Sequence, residues 1–289
     1  MKYAINLPPF GDFGEPHALV ELAVDAEAAG WDAFFIWDHI VFDPSFHPMV
    51  DPCVALAAVA MRTSRIRLGT MLTPIPRRRP WKLARETASL DRLSQGRLML
   101  GVGIGDPVQW DYGLFGEQTD ARIRAKQLDE GLDILTGLWS GKPFSYQGEQ
   151  YQLQEMIFLP TPVQQRIPIW VGGNWPNKPP LRRAGRWDGV FPIGRDRALT
   201  PDDWRELIAY VQSHRTNDGP FDWVHSGPTT GTDHAADAAL VASFAEAGVN
   251  WWVENIDPWR FGQAWQEPWS SNYCDMMRER VRQGPPRFS

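Results

Sequence analysis

Cysteine and histidine are scarce in this chain, and neither is spaced for a metal or for a disulfide framework. The two cysteines, Cys53 and Cys274, are far apart in the sequence, whereas zinc sites bring Cys and His together at short, regular spacings. The six histidines show no ligand spacing either. We therefore expect no metal site, and a chain suited to a reducing cytoplasm.

Long apolar runs and an excess of positive charge are also missing. No stretch reaches the roughly 18 apolar residues that a membrane span requires. Met1–Pro8 leads directly into a strand-like run without the pattern of a signal peptide. The formal net charge of −6 argues against nucleic acid as a partner. These absences predict a cytoplasmic protein that acts on a small-molecule substrate.

Several catalytic signatures are absent as well. The sequence contains no Gly-x-Ser-x-Gly elbow, no phosphate-binding P-loop, no His-x-His on its first strand and no lysine at the predicted strand ends. These absences argue against α/β-hydrolases, P-loop nucleotide hydrolases, metal-dependent barrel hydrolases and Schiff-base aldolases, respectively.

What the chain does have is a regular alternation of strands and helices over its 289 residues. Eight strand–helix units predict a (β/α)8 TIM barrel, and because no linker divides them we expect one domain over residues 1–289. Residues 144–164 interrupt the alternation and predict a hairpin, with Gly148 near its turn, inserted before the fifth barrel strand. The predicted strands cover residues 2–7, 33–37, 66–73, 97–106, 167–171, 189–192, 221–225 and 250–255, and the last helix covers residues around 264–282.

The candidate catalytic residues follow the second and fourth strands, at the barrel end where active sites gather. Asp38 and His39 form a carboxylate–imidazole pair that can hold a ligand and move a proton near neutral pH. The same pair could equally cap a turn and pack there. Gly103 and Gly105 end the fourth strand, directly before Asp106. Glycines let a large ligand approach the backbone, although small residues also pack inside barrels.

Two further segments offer contacts for an anion. Gly172, Gly173 and Asn174 end the fifth strand and precede a helix, with Lys178 nearby. Backbone N–H groups that precede a helix can form an anion-binding nest for phosphate. The alternative is that this segment is a simple turn. The run Arg77–Arg79 follows the third strand. It is either a solvated face or a contact for an extended anionic tail.

With these pieces in place, the chain resembles the bacterial luciferase-like family of flavin- and deazaflavin-dependent oxidoreductases over nearly its whole length. The resemblance implies a (β/α)8 barrel, often a homodimer, with a flavin ring lying over the barrel mouth. It is carried by Asp38–His39, Leu83–Gly96, Gly101–Asp106, Val171–Gly173, Leu181–Arg183 and Trp187–Gly189.

The resemblance also implies where the cofactor lies. Thr70–Met71 matches the place where the family bends its third strand to support the ring, often with a non-proline cis peptide bond. The other implied cofactor contacts are Gly103 and Gly105 beside the ring, Asp38 as a hydrogen-bond partner, and Gly172, Gly173, Asn174 and Lys178 around the phosphate.

The roles implied for catalysis fall on three residues. Asp38 would orient His39, and His39 would act as acid or base toward the substrate. Asp106 would be a second proton-transfer group, at a position where the deazaflavin branch often has the longer glutamate. The predicted pocket walls are Trp37, Trp110 and Trp175.

Two cofactor branches are compatible with this resemblance. One uses coenzyme F420 and transfers a hydride to or from carbon. The other is a monooxygenase branch that uses reduced FMN supplied by a separate flavin reductase. The Asp38–His39 pair, the carboxylate after the glycines and the Arg77–Arg79 run favour F420, because its tail is an oligoglutamate.

Two rival functions come from other classes. A barrel glycoside hydrolase needs two carboxylates facing one another across the mouth, and the sequence offers Asp38, Asp106, Glu254 and Asp257. A non-catalytic flavin-binding protein would use the glycine segments but not the Asp38–His39 pair.

Overall fold

A closed barrel of eight parallel strands forms the centre of the described chain, as predicted. The computed structural model describes residues 1–43, 47–216, 218–264, 269 and 272–287. The strands, numbered in chain order, are β1 (Lys2–Leu7), β2 (Ala33–Ile36), β3 (Arg67–Pro74), β4 (Leu98–Gly103), β5 (Phe144–Gln147), β6 (Gln152–Met156), β7 (Ile169–Trp175), β8 (Gly189–Gly194), β9 (Asp222–Gly227) and β10 (Trp251–Asn255). The barrel order is β1-β10-β9-β8-β7-β4-β3-β2, so β5 and β6 stand outside it.

The helices follow the strands and cover the barrel. They are α1 (Pro16–Ala29), α2 (Pro52–Arg62), α3 (Pro80–Leu93), α4 (Val108–Asp111), α5 (Ala121–Trp139), α6 (Lys178–Ala184), α7 (Pro201–Gln212), α8 (His234–Glu246) and α9 (Tyr273–Arg282). Side-chain caps determine where some of these helices begin. Asp51 accepts from the Val54 N–H at the start of α2, and Thr200 forms a capping box with Asp203 at the start of α7. The predicted last helix, around 264–282, corresponds to α9 from Tyr273 onward, while residues 265–268, 270 and 271 lie outside the described chain.

The two faces of the barrel strands bury two different clusters. Outward-facing side chains pack under the helices, and inward-facing side chains fill the barrel itself. Large indoles fill much of the interior, where the rings of Trp170 and Trp251 meet edge to face at 5.0 Å. The Trp170 Nε1–H donates to Asp222 Oδ2 at 2.9 Å, which gives this buried donor a partner. The interior is therefore a packed core and its mouth is the place left for a ligand.

The predicted insertion is confirmed as an antiparallel β5–β6 hairpin. Glu130 of α5 accepts hydrogen bonds from the backbone N–H groups of Glu149, Gln150 and Tyr151 at the hairpin turn. The segment after the hairpin is held by Asp91 of α3, a fully buried carboxylate. Both anchors are on helices, so the hairpin is fastened to the outer layer of the barrel. No helix in the described part of the chain has the length and apolar character needed to cross a membrane.

Replacing Asp91 with Ala should destabilise the fold strongly. Asp91 accepts from Val163 N at 2.7 Å, from Gln164 N at 3.0 Å and from Gln164 Nε2 at 2.7 Å. Losing this acceptor leaves buried donors unpaired, so the free energy of unfolding in urea should fall by about 3 kcal/mol. The matched control is Asp129→Ala, because the Asp129 side chain is 39% exposed and its carboxylate pairs with Arg183. Equal losses in the two variants would contradict this anchoring role.

Candidate functional site

The two-residue period of a strand decides which side chains face the barrel mouth. Ala4 and Phe35 lie in the barrel interior, so Asn6 and Trp37, two residues further along, face the same interior closer to the mouth. Applied to the seven barrel strands other than β3, whose pairing shifts register, this rule gives a lining of Asn6, Trp37, Gly103, Asn174, Ile193, Ser226 and Asn255. No side chain in this set carries a charge.

The third strand bends close to the predicted position. The Met71–Leu72 peptide bond is cis, and the pairing of β3 with β4 shifts register between Thr70 and Thr73. Leu72 packs against the barrel interior. A Cβ added to Gly172 would stand 2.0 Å from Leu72 Cδ1. The missing side chain at Gly172 therefore leaves room for Leu72 to form the floor of the mouth.

Glycines of the fourth strand serve the same close approach. A Cβ on Gly101 would stand 2.8 Å from Leu72 Cδ2, and one on Gly103 would stand 3.3 Å from Leu72 Cδ1. Gly105 has a φ of +82°, which L side chains rarely adopt. The close packing of Leu72 thus explains why glycines stand in this segment. Their missing side chains also leave a flat surface beside Leu72.

Asp38 is buried and is bound by two arginines of the loop after β3. Its Oδ1 accepts from Arg77 Nη2, and Arg78 Nη2 donates to Oδ1 at 2.8 Å and to Oδ2 at 2.9 Å. Asp38 is 1% exposed and the Arg77 side chain is 2% exposed. Two of the three arginines predicted to meet an anionic tail are thus engaged within the protein, and Arg79 is the exposed one.

His39 is held by Asp111, a residue that the sequence analysis did not single out. The Nδ1 atom of His39 lies 2.7 Å from Asp111 Oδ2. Because an ionised carboxylate only accepts hydrogen bonds, Nδ1 carries the proton. Asp111 Oδ1 accepts from the backbone N–H of Ile40 at 2.8 Å and lies 2.9 Å from Arg77 Nη1. No described residue makes a hydrogen bond with His39 Nε2, which is the nitrogen left for a ligand.

The surroundings of Asp111 keep it ionised. Burial by itself raises the pKa of the Asp111 carboxyl, but the hydrogen bond from His39 and the charges of His39 and Arg77 outweigh it and lower the pKa below its usual value. The residue lies at the end of α4, and its side chain is completely buried. A buried anion between an arginine and an imidazole fixes the orientation of that imidazole.

The structure therefore corrects one predicted contact. Asp38 does not orient His39, because its carboxylate is occupied by Arg77 and Arg78. Asp106 is exposed and follows Gly105. The carboxylate that reaches His39 comes five residues after Asp106, and its sequence signal was weak, since α4 is a single turn without apolar periodicity.

The predicted phosphate nest is arranged differently from the sequence expectation. Gly173 faces α6, where an added Cβ would stand 2.2 Å from Pro180 Cβ. The ammonium of Lys178 lies 4.2 Å from the ring centroid of Trp175 and 3.3 Å from Glu206 Oε1. Asn174 is exposed at the end of β7. Gly172 and Asn174 thus share the mouth side of β7, while Gly173 and Lys178 serve packing and pairing on the helix side.

Aromatic rings surround His39. The ring of Phe42 meets it at 4.9 Å, and those of Phe10 and Trp37 each lie 6.0 Å from it. Trp259, from the loop after β10, stacks on Trp37 at 5.7 Å with an interplanar angle of 21°. These four rings form what we call the aromatic wall, and it lies on the β10–β1–β2 side of the mouth. Of the tryptophans predicted as pocket walls, Trp37 belongs to this wall, Trp175 is buried against Lys178, and Trp110 lies in α4.

The carboxylates that a glycoside hydrolase would need are largely engaged elsewhere. Glu254 is fully buried and accepts from the Thr229 backbone N–H at 2.7 Å and from Arg260 Nη1. Asp257 accepts from the backbone N–H of Arg260 at 3.0 Å and begins a short 3-10 helix. Asp38 is bound by two arginines as described above. This arrangement does not supply the facing pair that glycoside hydrolysis requires.

Replacing Asp111 with Asn should destabilise the protein near neutral pH and flatten the acid side of its stability profile. The folded-state pKa of Asp111 lies below its usual value of about 3.9. Ionised Asp111 therefore stabilises the fold above that pH, and the contribution disappears as the pH falls through the lowered pKa. Urea unfolding of the variant should show a loss of about 3 kcal/mol at neutral pH that shrinks in acid.

The control for this measurement is Asp133→Asn, because Asp133 pairs with Arg186 at the surface. Its pH profile should parallel that of the wild type. A parallel profile for Asp111→Asn as well would show that Asp111 is not the ionised anchor described above.

Comparison with known proteins identifies the family of this chain. Residues 3–265 match the family described as luciferase-like monooxygenase. An uncharacterized protein of Mycobacterium tuberculosis, Rv0940c, is 34% identical over 223 residues, which cover 70% of this chain and 74% of that protein. An F420-dependent glucose-6-phosphate dehydrogenase of Gordonia bronchialis is 35% identical over 177 residues, which cover 60% of this chain and 51% of that enzyme. The match thus spans about half the length of the dehydrogenase.

Solved structures share the barrel at lower identity. The coenzyme F420 dependent tetrahydromethanopterin reductase of Methanopyrus kandleri superposes with a TM-score of 0.74 at 17% identity, covering 98% of this chain and 96% of that one. The oxygenating constituent of 3,6-diketocamphane monooxygenase from Pseudomonas putida, in complex with FMN, gives 0.62 at 21% identity, covering 79% and 67%. At these identities the likeness shows the fold, and the family match carries the assignment. The chain therefore belongs to the luciferase-like family of flavin- and F420-dependent oxidoreductases.

Proposed function

We propose that this protein is an F420-dependent oxidoreductase that transfers a hydride between the cofactor and a carbon atom of a small organic substrate. The observation that carries the proposal is the His39–Asp111 pair at the barrel mouth, with Nδ1 bound to the carboxylate at 2.7 Å. Hydride transfer to or from a carbon bearing oxygen requires a proton to move as well, and an imidazole with one free nitrogen can move it near neutral pH.

The mouth fits a flat ring. Leu72 lies on its floor. The glycines beside Leu72 present no side chains, and the space is narrow enough that a Cβ added to Gly103 would stand 3.3 Å from Leu72 Cδ1. The cofactor would be held by the backbone of Met71–Leu72, by Gly103 and by the exposed Asn174. When bound, F420 supplies the site that accepts or gives the hydride, and the protein supplies orientation and the proton path.

His39 and Asp111 would divide the proton chemistry between them. Asp111 accepts the Nδ1 proton, which leaves Nε2 as the nitrogen that exchanges a proton with the substrate. Arg77 keeps Asp111 ionised from the opposite side. The aromatic wall limits the access of water to His39, whose side chain is 12% exposed. Asp106, exposed on the neighbouring loop, is the second proton-transfer group in this proposal.

Support for F420 over FMN comes from the relatives. Five relatives at 32–36% identity, each aligned over 56–64% of this chain, are F420-dependent glucose-6-phosphate dehydrogenases. The arginine run gives less support than the sequence suggested, because Arg77 and Arg78 bind Asp38. Arg79 remains as the exposed cation of that loop for an anionic tail.

Replacing His39 with Gln should separate binding from turnover. Gln keeps a polar side chain but cannot exchange a proton as imidazole does, so turnover with F420 should fall by about 10²–10⁴-fold. The dissociation constant for F420 should change by less than about threefold, because cofactor contacts lie mainly on the backbone. The two values would be measured by steady-state kinetics and by fluorescence titration.

The matched control is His214→Gln, since His214 follows α7 and its Nδ1 lies 2.8 Å from the Tyr210 carbonyl oxygen, away from the barrel mouth. That variant should keep wild-type turnover. Full turnover of His39→Gln with bound cofactor would remove the central role of His39.

A further inference from the structure

An unpaired acceptor is buried in the lining of the barrel mouth. Asn6 is 6% exposed, and its Oδ1 has no hydrogen-bond partner among the described residues. Its side chain shares the interior face with Ala4, as its position on β1 requires. A buried carboxamide oxygen without a donor loses its hydrogen bonds to water and gains none in the protein. The position of Asn6 at the mouth assigns that missing donor to a bound ligand.

The surroundings of Asn6 are polar but uncharged. Asn255 is its register partner on β10 and shares its face, and Ser226 lies one strand further on. Two arginines of the adjoining rim loops are already engaged, since Arg77 pairs with Asp38 and Arg260 pairs with Glu254. The pocket around Asn6 is therefore built for hydrogen bonds to a neutral group and not for a phosphate or carboxylate.

The aromatic wall lies on the same side of the mouth as Asn6. Trp37 follows β2, which pairs with β1, and Trp259 follows β10 on the other side of β1. Their stacked rings form an apolar face at the ends of the two strands that flank β1, and Trp259 remains 38% exposed. An apolar ring of a ligand would gain both burial and stacking on this face.

We propose that the substrate is an uncharged molecule with an aromatic or other apolar ring and a hydroxyl or N–H donor, whose donor binds Asn6 Oδ1 while its ring lies against Trp37 and Trp259. This inference rests on the proposed function, because it describes the substrate side of the same site. It sets this chain apart from its relatives named for glucose 6-phosphate, whose substrate carries a phosphate.

The test uses a matched pair of probes on the full chain saturated with F420. The probes are 1-phenylethanol and its methyl ether, which differ in the hydrogen-bond donor, and calorimetry gives both dissociation constants. The wild type should bind the alcohol about tenfold more tightly than the ether, because the ether leaves Oδ1 unpaired. In Asn6→Leu this ratio should fall to about one, while the dissociation constant for F420 stays unchanged.

Two further variants keep the test decisive. Asn6→Ala should give the same loss of discrimination if leucine crowds the site. Asn177→Leu makes the same change at an exposed asparagine that precedes α6 and makes no side-chain capping hydrogen bond, and it should preserve the tenfold ratio.

Four results would overturn the inference. The first is an unchanged alcohol-to-ether ratio in both Asn6 variants, and the second is a loss of F420 affinity in those variants equal to their loss of affinity for the alcohol. The third is no binding of the alcohol to the F420-loaded wild type. The fourth is binding of glucose 6-phosphate that is tighter than that of the alcohol and disappears in Arg195→Ala. Arg195 is the exposed cation after β8 that a phosphate would have to use. Failure of the wild type to bind F420 would instead contradict the proposed function.

Discussion

The buried ion network around Arg77 is the interaction on which the candidate site depends. Asp38 follows β2, Arg77 follows β3 and Asp111 follows β4, so three adjacent rim loops meet at one guanidinium. All three side chains are at most 2% exposed. Removing one partner of a buried pair leaves an uncompensated charge and costs about 3–5 kcal/mol. The loops cannot move apart without that cost, and His39 is attached to this assembly through Asp111.

A second constraint is the space that Leu72 takes up at the barrel mouth. A side chain at position 172 would overlap Leu72, and one at position 101 would overlap both Leu72 and the carbonyl oxygen of Thr70. The result is a floor that is flat and apolar, beside a wall of aromatic rings and a strip of neutral amides. The electrostatics of the site therefore come from the rim loops, while the interior lining that a ligand touches is uncharged. In the proposed function, this division lets His39 transfer a proton without a strong preference for charged ligands.

Sequence patterns predicted the barrel well because each of its eight strand–helix units carried its own signal. Alternation of apolar strands and amphipathic helices marked the eight units, and Gly148 between short polar strands marked the hairpin. The rim was predicted less completely. Asp38 and His39 are neighbours in sequence, but adjacent side chains at a strand end point in different directions, and they find different partners. Such pairings depend on where loops from other strands arrive.

The charged residues illustrate the same limit. A run of three arginines is usually a solvated surface, yet Arg77 is buried because two carboxylates from other loops surround it. Lys178 begins a helix, as a phosphate ligand would, but two aromatic rings and Glu206 hold its ammonium. Asp111 had no periodic pattern around it. Contacts with segments 28 or more residues away, or with a neighbouring aromatic ring, decide each of these placements, and composition alone does not encode them.

The most direct test of the proposed function is a binding titration of the purified protein with F420 and with FMN, each oxidised and reduced. We expect F420 to bind more tightly than either form of FMN, with quenching of the cofactor or protein fluorescence at one site per chain. A preference for reduced FMN would contradict the hydride-transfer assignment and indicate oxygen activation. Binding of neither cofactor would contradict the assignment of the barrel mouth as a cofactor site.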